Sequence, residues 1–124
     1  MRETILVVED GAAVRNLVCR MLVQNGYRVL EACDGHHALR ICSAHPEPIE
    51  LVLTDVVMPN MKGLELVERL RRVRPGVRIL LMSGYAHEPL VQLCNRDRNA
   101  FLAKPFTSVE LVERIREVLD APDG

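Results

Sequence analysis

Residues 5–10 read Ile-Leu-Val-Val-Glu-Asp, four apolar residues followed directly by two acids. The apolar run is continuous instead of alternating with polar residues, so it predicts a β-strand that is buried on both faces. Such strands are typical of a parallel sheet that has helices packed on both sides. The stretch therefore predicts an α/β fold, with Glu9 and Asp10 at the carboxyl end of the first strand.

Four more apolar runs of strand length follow along the chain. They are Arg28–Ala32, Leu51–Leu53, Ile79–Met82 and Ala100–Ala103. The segments between and after the strands have helical character, and we predict five helices. These lie near residues 14–22, 35–45, 64–73, 88–96 and 111–119. Strands that alternate with helices imply right-handed crossovers and a three-layer α/β/α sandwich.

The first and last helices have the clearest patterns. In the first, an apolar stripe at i, i+3, i+4, i+7 and i+8 predicts the face that packs on the core. Its members are Val14, Leu17, Val18, Met21 and Leu22. Asn25-Gly26 supplies a helix stop. The last helix is preceded by a Thr107-Ser108 cap and has an acid at Glu110, so we expect it to begin there.

Composition indicates a single globular domain over residues 1–124, whose last few residues are expected to fray. The chain has 48% hydrophobic residues and a formal net charge of −1, which offers no overall field for nucleic acid or anionic lipid. No apolar run is long enough to span a membrane and no signal peptide is visible, so we predict a cytoplasmic protein. The four cysteines form no Cys-x-x-Cys pair, and we expect them to be reduced and buried.

Polar residues follow four of the predicted strands. They are Glu9, Asp10, Asp55, Ser83 and Lys104. Any one of them alone is better interpreted as an ordinary loop residue. In a parallel sheet, however, all five lie at the same carboxyl edge, where ligands bind in doubly wound folds. Two carboxylates about 4 Å apart repel by about 4 kcal/mol at an effective dielectric near 20, so three of them favour a bound divalent cation. Oxygen ligands of this kind suit Mg²⁺.

The chain resembles the response-regulator receiver family of two-component signalling. The resemblance rests on four segments that occur in the family's order, namely Ile-Leu-Val-Val-Glu-Asp at 5–10, Leu-Thr-Asp-Val-Val-Met-Pro-Asn-Met-Lys-Gly at 53–63, Leu-Met-Ser-Gly-Tyr at 81–85 and Phe-Leu-Ala-Lys-Pro-Phe at 101–106. Each segment alone is a modest signal, but all four at these spacings are specific. The resemblance implies a flavodoxin-like fold with a five-stranded parallel sheet of order 2-1-3-4-5 and five helices.

The resemblance also implies a role for each candidate residue. Asp55 matches the phosphoacceptor, and Glu9 and Asp10 match the acids that hold Mg²⁺ together with Asp55 and the backbone carbonyl of Val57. Lys104 matches the lysine that pairs with the phosphoryl group. Ser83 and Phe101 match the hydroxyl and the aromatic ring of the family's switch. The resemblance implies that Mn²⁺ can substitute for Mg²⁺, and it implies no other cofactor. It also implies that the Lys104-Pro105 peptide bond is cis.

The implied partners are a sensor histidine kinase or a histidine phosphotransfer protein, with no direct nucleic-acid contact and no membrane segment. A downstream protein would bind the face made by the fourth predicted helix, the fifth strand and the fifth predicted helix. The implied function is that of a signalling phosphoacceptor, and not of an enzyme beyond its self-catalysed phosphorylation and dephosphorylation. The sequence leaves open whether the chain is a stand-alone regulator or the receiver of a hybrid histidine kinase.

Two positions depart from the family pattern. Glu9 stands where many members have aspartate, and Val57 is apolar where an amide or acid can orient the water that hydrolyses the acyl phosphate. The second departure predicts slow self-dephosphorylation.

Three alternative functions fit the sequence less well. A phosphatase with an aspartate nucleophile would need an acid at position 57, and a flavin carrier would need a Ser/Thr/Gly-rich phosphate loop and more than the 3% aromatic residues present. A receiver that only binds proteins would not need the complete set of acids, hydroxyl and lysine.

Overall fold

The computed structural model describes residues 2–56, 61, 63–83 and 100–121. Its strands are β1 (Thr4–Val8), β2 (Arg28–Ala32), β3 (Leu51–Asp55), β4 (Arg78–Ser83) and β5 (Ala100–Ala103). All neighbouring strands pair in parallel, in the order β2-β1-β3-β4-β5. This order confirms the prediction made from the family resemblance, and the strand bounds differ from the predicted ones by no more than two residues at either end.

The helices are α1 (Ala12–Gln24), α2 (Gly35–Ala44), α3 (Gly63–Val73) and α4 (Ser108–Asp120). The helix predicted at residues 88–96 lies outside the described residues, so α4 is the fifth helix of the sequence prediction. It begins with the expected cap, because the Thr107 side chain accepts a hydrogen bond from the Glu110 backbone N–H while the Glu110 side chain accepts one from Thr107. This reciprocal capping box fixes where the helix starts.

The strands bury side chains on both faces of the sheet. Leu6, Val52 and Leu81 face a core shared with residues of α2 and α3. Their neighbours Ile5 and Leu53 face a second core, shared with residues of α1 and α4. The sheet thus lies between two layers of helices, which confirms the three-layer sandwich and explains why the strand sequences are continuously apolar.

The predicted core face of α1 was partly wrong. Val18 and Leu22 are buried as expected, but Val14 and Leu17 are 42% and 53% exposed, and Cys19 is buried instead. The apolar periodicity predicts a helix correctly, yet it does not fix the rotation of that helix against the sheet, which depends on the packing of the neighbouring elements.

The prediction of buried, reduced cysteines was also only partly right. Cys19 and Cys42 are buried and free, while Cys33 is free but exposed. Cys94 and the tail predicted to fray from residue 122 onward lie outside the described residues. None of the four described helices combines the length and apolar character that a membrane span requires.

Strand register decides which residues meet at the carboxyl edge of the sheet. Val8 is opposite Thr54, so Glu9, which follows β1, lies beside Asp55 at the end of β3. Ser83 is opposite Ala103, so Lys104, which follows β5, lies beside the end of β4. The backbone N–H of Lys104 continues this ladder by donating to the Ser83 carbonyl at 2.8 Å. The fold therefore brings the candidate residues to one edge.

Candidate functional site

Three carboxylates meet at the carboxyl edge of the sheet. Glu9 and Asp10 follow β1, Asp55 ends β3, and one oxygen atom from each lies within 4.8 Å of the others. Glu9 and Asp55 are buried, with 4% and 8% of their surfaces exposed, whereas Asp10 is exposed. The structure thus brings together the three acids that the sequence pattern placed at this edge. Asp10 provides the side of the cluster that faces solvent.

Lys104 is the cation of the site. Its ammonium nitrogen Nζ lies 2.8 Å from Asp55 Oδ2 and 3.3 Å from Glu9 Oε2, so it binds two of the three carboxylates. The Lys104-Pro105 peptide bond is cis, as the resemblance implied. A single ammonium can offset the charge of one carboxylate, so the described part of the cluster keeps an excess of negative charge.

The charge of Glu9 is strongly influenced by its surroundings. Burial raises the pKa of the Glu9 carboxyl above its ordinary value, and its hydrogen bond with Asp55 raises it further, although the Gly11 backbone N–H opposes this. That N–H donates to Glu9 Oε1 at 3.2 Å. Ionised Glu9 is therefore disfavoured in the folded protein, first because its carboxyl is buried and second because Asp55 lies beside it.

For Lys104 the surroundings favour the charged form of the side chain, whereas for Glu9 they disfavour it. Burial alone would lower the pKa of its ammonium, but the hydrogen bond to Asp55 and the attraction of Asp55 and Glu9 outweigh burial, so the pKa of Lys104 is raised. The side chain therefore stays positively charged at neutral pH. A permanent positive charge beside Asp55 is suited to binding an anionic group there.

The two predicted switch residues lie on the neighbouring strands β4 and β5. Ser83 is the last residue of β4 and is 1% exposed. Phe101, in β5, is half-buried and packs against the core shared with α2 and α3, and its carbonyl accepts a hydrogen bond from Arg114 Nε at 3.3 Å. Val57, whose backbone carbonyl was the remaining predicted metal ligand, lies outside the described residues.

The donor set of the cluster fits a magnesium ion. All of its side-chain donors are carboxylate oxygens, which are hard ligands of the kind that Mg²⁺ prefers. Burial and the neighbouring Asp55 carboxyl raise the pKa of Glu9 and so disfavour its charged form, and a divalent cation bound here would favour that form. Residues Glu9, Asp10 and Asp55 could therefore hold the ion that the sequence pattern predicted.

One contact to the acid pair was missed at the sequence level. Arg15, on the first turns of α1, donates from its terminal guanidinium nitrogen to the backbone carbonyl of Glu9 at 2.8 Å. Its Nε also lies 3.4 Å from Glu31 Oε1. An arginine in an amphipathic helix reads as an ordinary surface residue, so no sequence signal pointed to this contact.

Comparison with known proteins places these features in a family. Residues 5–116 match the family model of the response regulator receiver domain. The sensor kinase CckA of Brucella abortus is 37% identical over 121 residues, a stretch that covers 97% of this chain but 13% of the kinase. The response regulator receiver protein CpdR of the same organism is 35% identical over 118 residues, covering 94% of this chain and 97% of that protein.

Solved structures show the same similarity. The receiver domain of the hybrid histidine kinase CckA is 35% identical, with a TM-score of 0.80 over 94% of this chain and 99% of that one. A CheY-like receiver domain from Methanospirillum hungatei is 30% identical, with a TM-score of 0.87 over 97% of this chain and 95% of that one. The similarity in sequence and in fold thus extends over nearly the whole chain.

Proposed function

The chain belongs to the response regulator receiver family, and from this membership and the geometry of its acid cluster we propose that Asp55 is the residue that takes up the phosphoryl group. Receiver domains are the phosphoacceptors of two-component signalling, and they are not classical enzymes. The observation that carries the assignment is the contact of Asp55 Oδ2 with Lys104 Nζ at 2.8 Å, within a cluster that also contains Glu9 and Asp10.

In the proposed reaction an oxygen of the Asp55 carboxylate attacks the phosphorus atom of a phosphohistidine on a partner protein. The new O–P bond forms as the P–N bond breaks, and the electron pair leaves with the imidazole nitrogen, which is then protonated. Such transfers depend mainly on positioning and on neutralisation of charge. Mg²⁺, or Mn²⁺ in its place, would be held by Glu9, Asp10, Asp55 and the backbone carbonyl of Val57, and would supply positive charge beside the phosphoryl oxygens.

Lys104 and Ser83 have complementary proposed roles. The Lys104 ammonium, which remains charged because its pKa is raised, would pair with a phosphoryl oxygen once the product forms. The Ser83 hydroxyl, at the buried end of β4, would donate to another phosphoryl oxygen. Phe101 lies on the neighbouring strand, three residues before Lys104, and we propose that its ring reports this change to the outer surface.

The proposed partners follow from this chemistry. The donor would be a sensor histidine kinase or a histidine phosphotransfer protein, and the relatives include both a sensor kinase and a response regulator. We propose that a downstream protein binds the face formed by residues 88–96, β5 and α4. The cytoplasm is the proposed compartment, in agreement with the free state of Cys19, Cys33 and Cys42.

Substituting Asp55 tests the assignment directly. Asp55→Asn keeps the shape of the side chain but removes the nucleophilic carboxylate, so uptake from acetyl phosphate in the presence of Mg²⁺ should be lost. The adduct can be followed by intact-protein mass spectrometry, as a mass gain in wild type that EDTA prevents. Asp120→Asn, a change in an exposed carboxylate on α4, is the matched control and should phosphorylate normally. Uptake by Asp55→Asn at the wild-type rate would refute the assignment.

The lifetime of the adduct is a separate part of the proposal. Because Val57 offers no polar group to orient a water molecule, we propose that the aspartyl phosphate hydrolyses slowly. Val57→Asn should shorten the lifetime of the aspartyl phosphate after the donor is removed. The neighbouring Val56 is buried, so Val56→Ala is not a suitable control. A wild-type lifetime of only seconds would contradict this part while leaving the role of Asp55 intact.

A further inference from the structure

We propose that Arg15 is a positioning residue, which holds the Glu9–Asp10 pair in place for the metal through the backbone carbonyl of Glu9. The inference rests on the proposed function, because it concerns how the acid pair is arranged for that reaction. Arg15 acts through the backbone of the acid pair, by its hydrogen bond to the Glu9 carbonyl. Three contacts of residues 9–11 and one contact between Arg15 and Glu31 carry the inference.

The segment from Glu9 to Gly11 is attached to Arg15 on both sides of Asp10. The Arg15 guanidinium donates to the Glu9 carbonyl at 2.8 Å, and the Arg15 backbone N–H donates to the Gly11 carbonyl at 2.9 Å. The second bond is the first turn of α1, which any residue could make. The first requires a long side chain with a terminal donor. Asp10 is exposed, so the position of its carboxylate depends on the position of this backbone segment.

The guanidinium is itself fixed in place. Its Nε lies 3.4 Å from Glu31 Oε1, and the Arg15 side chain is only 19% exposed. Glu31 belongs to β2, and its neighbour Ala32 accepts a hydrogen bond from the Glu9 backbone N–H at 3.1 Å. Arg15 thus links the helix, the end of β2 and the acid pair. The rigid planar fork of arginine can bind two acceptors at fixed angles, which a lysine ammonium cannot do as well.

Charge and positioning predict opposite effects for this residue. A positive guanidinium next to the acids should repel a divalent cation, so if only charge mattered, Arg15→Ala would strengthen Mg²⁺ binding. Arg15→Ala would also leave the negative charge of Glu31 without its partner Arg15, which would strengthen Mg²⁺ binding further. If Arg15 positions the acid pair, its loss should weaken binding. Groups that orient metal ligands typically contribute about 10–100-fold to metal affinity.

The test is Mg²⁺ binding by the metal-free protein, measured by isothermal titration calorimetry. We expect Arg15→Ala to weaken the affinity about tenfold, and Arg15→Lys to restore only part of it. Arg20→Ala removes the same charge from an exposed position on the same helix and should bind Mg²⁺ like wild type. Glu31→Gln keeps the contact between Arg15 and the Glu9 carbonyl but loosens the guanidinium, and we expect it to lie between wild type and Arg15→Ala.

Affinity in Arg15→Ala that equals or exceeds that of wild type would overturn the proposal, as would an equal loss in Arg20→Ala. If Arg15→Ala does not fold, Arg15→Lys and Glu31→Gln decide the matter, because both keep a hydrogen-bonding side chain at each site. Full wild-type affinity in both would then overturn it. The proposed function fails separately, if wild type itself neither binds Mg²⁺ nor takes up phosphate.

Discussion

The two edges of the same sheet use charged side chains in opposite ways. At the amino edge, Arg74 donates to the backbone carbonyls of Cys42, His45 and Glu47, and so fastens the connection between α2 and β3 to the end of α3. Arg78, at the start of β4, donates to the Val118 carbonyl near the end of α4 at 2.7 Å. The charged side chains at this edge therefore hold neighbouring elements together through hydrogen bonds to backbone carbonyls.

At the carboxyl edge the charges are not balanced in the same way. Glu9 and Asp55 share the ammonium of Lys104 while Asp10 lies in the same cluster, and the pKa of Glu9 is raised by burial and by Asp55. No gain in stability accounts for this arrangement, since like charges gathered in a buried cluster are destabilising. The comparison teaches that the site can be recognised where charges of one sign are gathered, and not simply where charged residues are found.

The largest expected effect concerns Lys104, the cation that contacts Asp55 and Glu9 at the carboxyl edge. Lys104→Ala should slow uptake of phosphate from acetyl phosphate by about 100-fold or more, the usual cost of removing one donor that stabilises developing charge. Rapid-quench measurement of the initial rate, at saturating Mg²⁺, would give this value. Arg116→Ala removes an exposed cation from α4 and should leave the rate unchanged. If Lys104→Ala takes up phosphate at a rate within threefold of wild type, phosphorylation does not depend on this ammonium.

The next effect concerns the amino edge, where a change should alter stability alone. Arg74→Met removes the donor of three backbone carbonyls but keeps an apolar side chain of similar length, and we expect the free energy of unfolding to fall by about 2 kcal/mol. Urea denaturation measures it. Arg72→Met, an exposed neighbour, should change stability little, and both variants should be phosphorylated at the wild-type rate. A slower rate in folded Arg74→Met would show that the edges are coupled.

The contrast also explains how much could be predicted from sequence. Asp55 and Lys104 were predictable because each lies just after a short apolar run, and parallel strands bring such positions together whatever the details of packing. Arg15 and Arg74 were not predictable, because their acceptors are backbone carbonyls whose positions depend on how separate elements pack. The exposure of Leu17 was missed for a related reason, since periodicity does not determine which side of α1 faces the sheet.

A smaller effect, of opposite sign, is expected for the buried acid. Glu9→Gln should raise the free energy of unfolding of the metal-free protein by about 1 kcal/mol at neutral pH, because it removes one of several like charges while Lys104 still pairs with Asp55. The pKa of Glu9 is raised on folding, so ionised Glu9 destabilises the folded state above its ordinary value of 4.5. The advantage of the variant should therefore disappear below that pH, where Glu9 is protonated in both states.

Magnesium provides the control for this variant. Saturating Mg²⁺ should stabilise wild type more than Glu9→Gln, because the amide is a weaker ligand, so the order of stabilities should reverse when the ion is added. Thermal unfolding with EDTA and with Mg²⁺ measures both orders. A Glu9→Gln protein that is less stable than wild type without metal would show that the cluster is balanced after all.

The smallest effect comes from the same substitution at Glu50, which precedes β3 and contacts the first residue of β1. Glu50 Oε2 accepts a hydrogen bond from the Thr4 backbone N–H at 2.9 Å, at the amino edge where β1 begins. Glu50→Gln retains an oxygen acceptor but loses its charge, so the free energy of unfolding should fall by about 0.5 kcal/mol, with no dependence on Mg²⁺. Urea denaturation of Glu9→Gln and Glu50→Gln side by side then compares one chemical change at the two edges of the sheet. Shifts of the same sign would contradict the division between the edges, because carboxylates would then contribute alike at both.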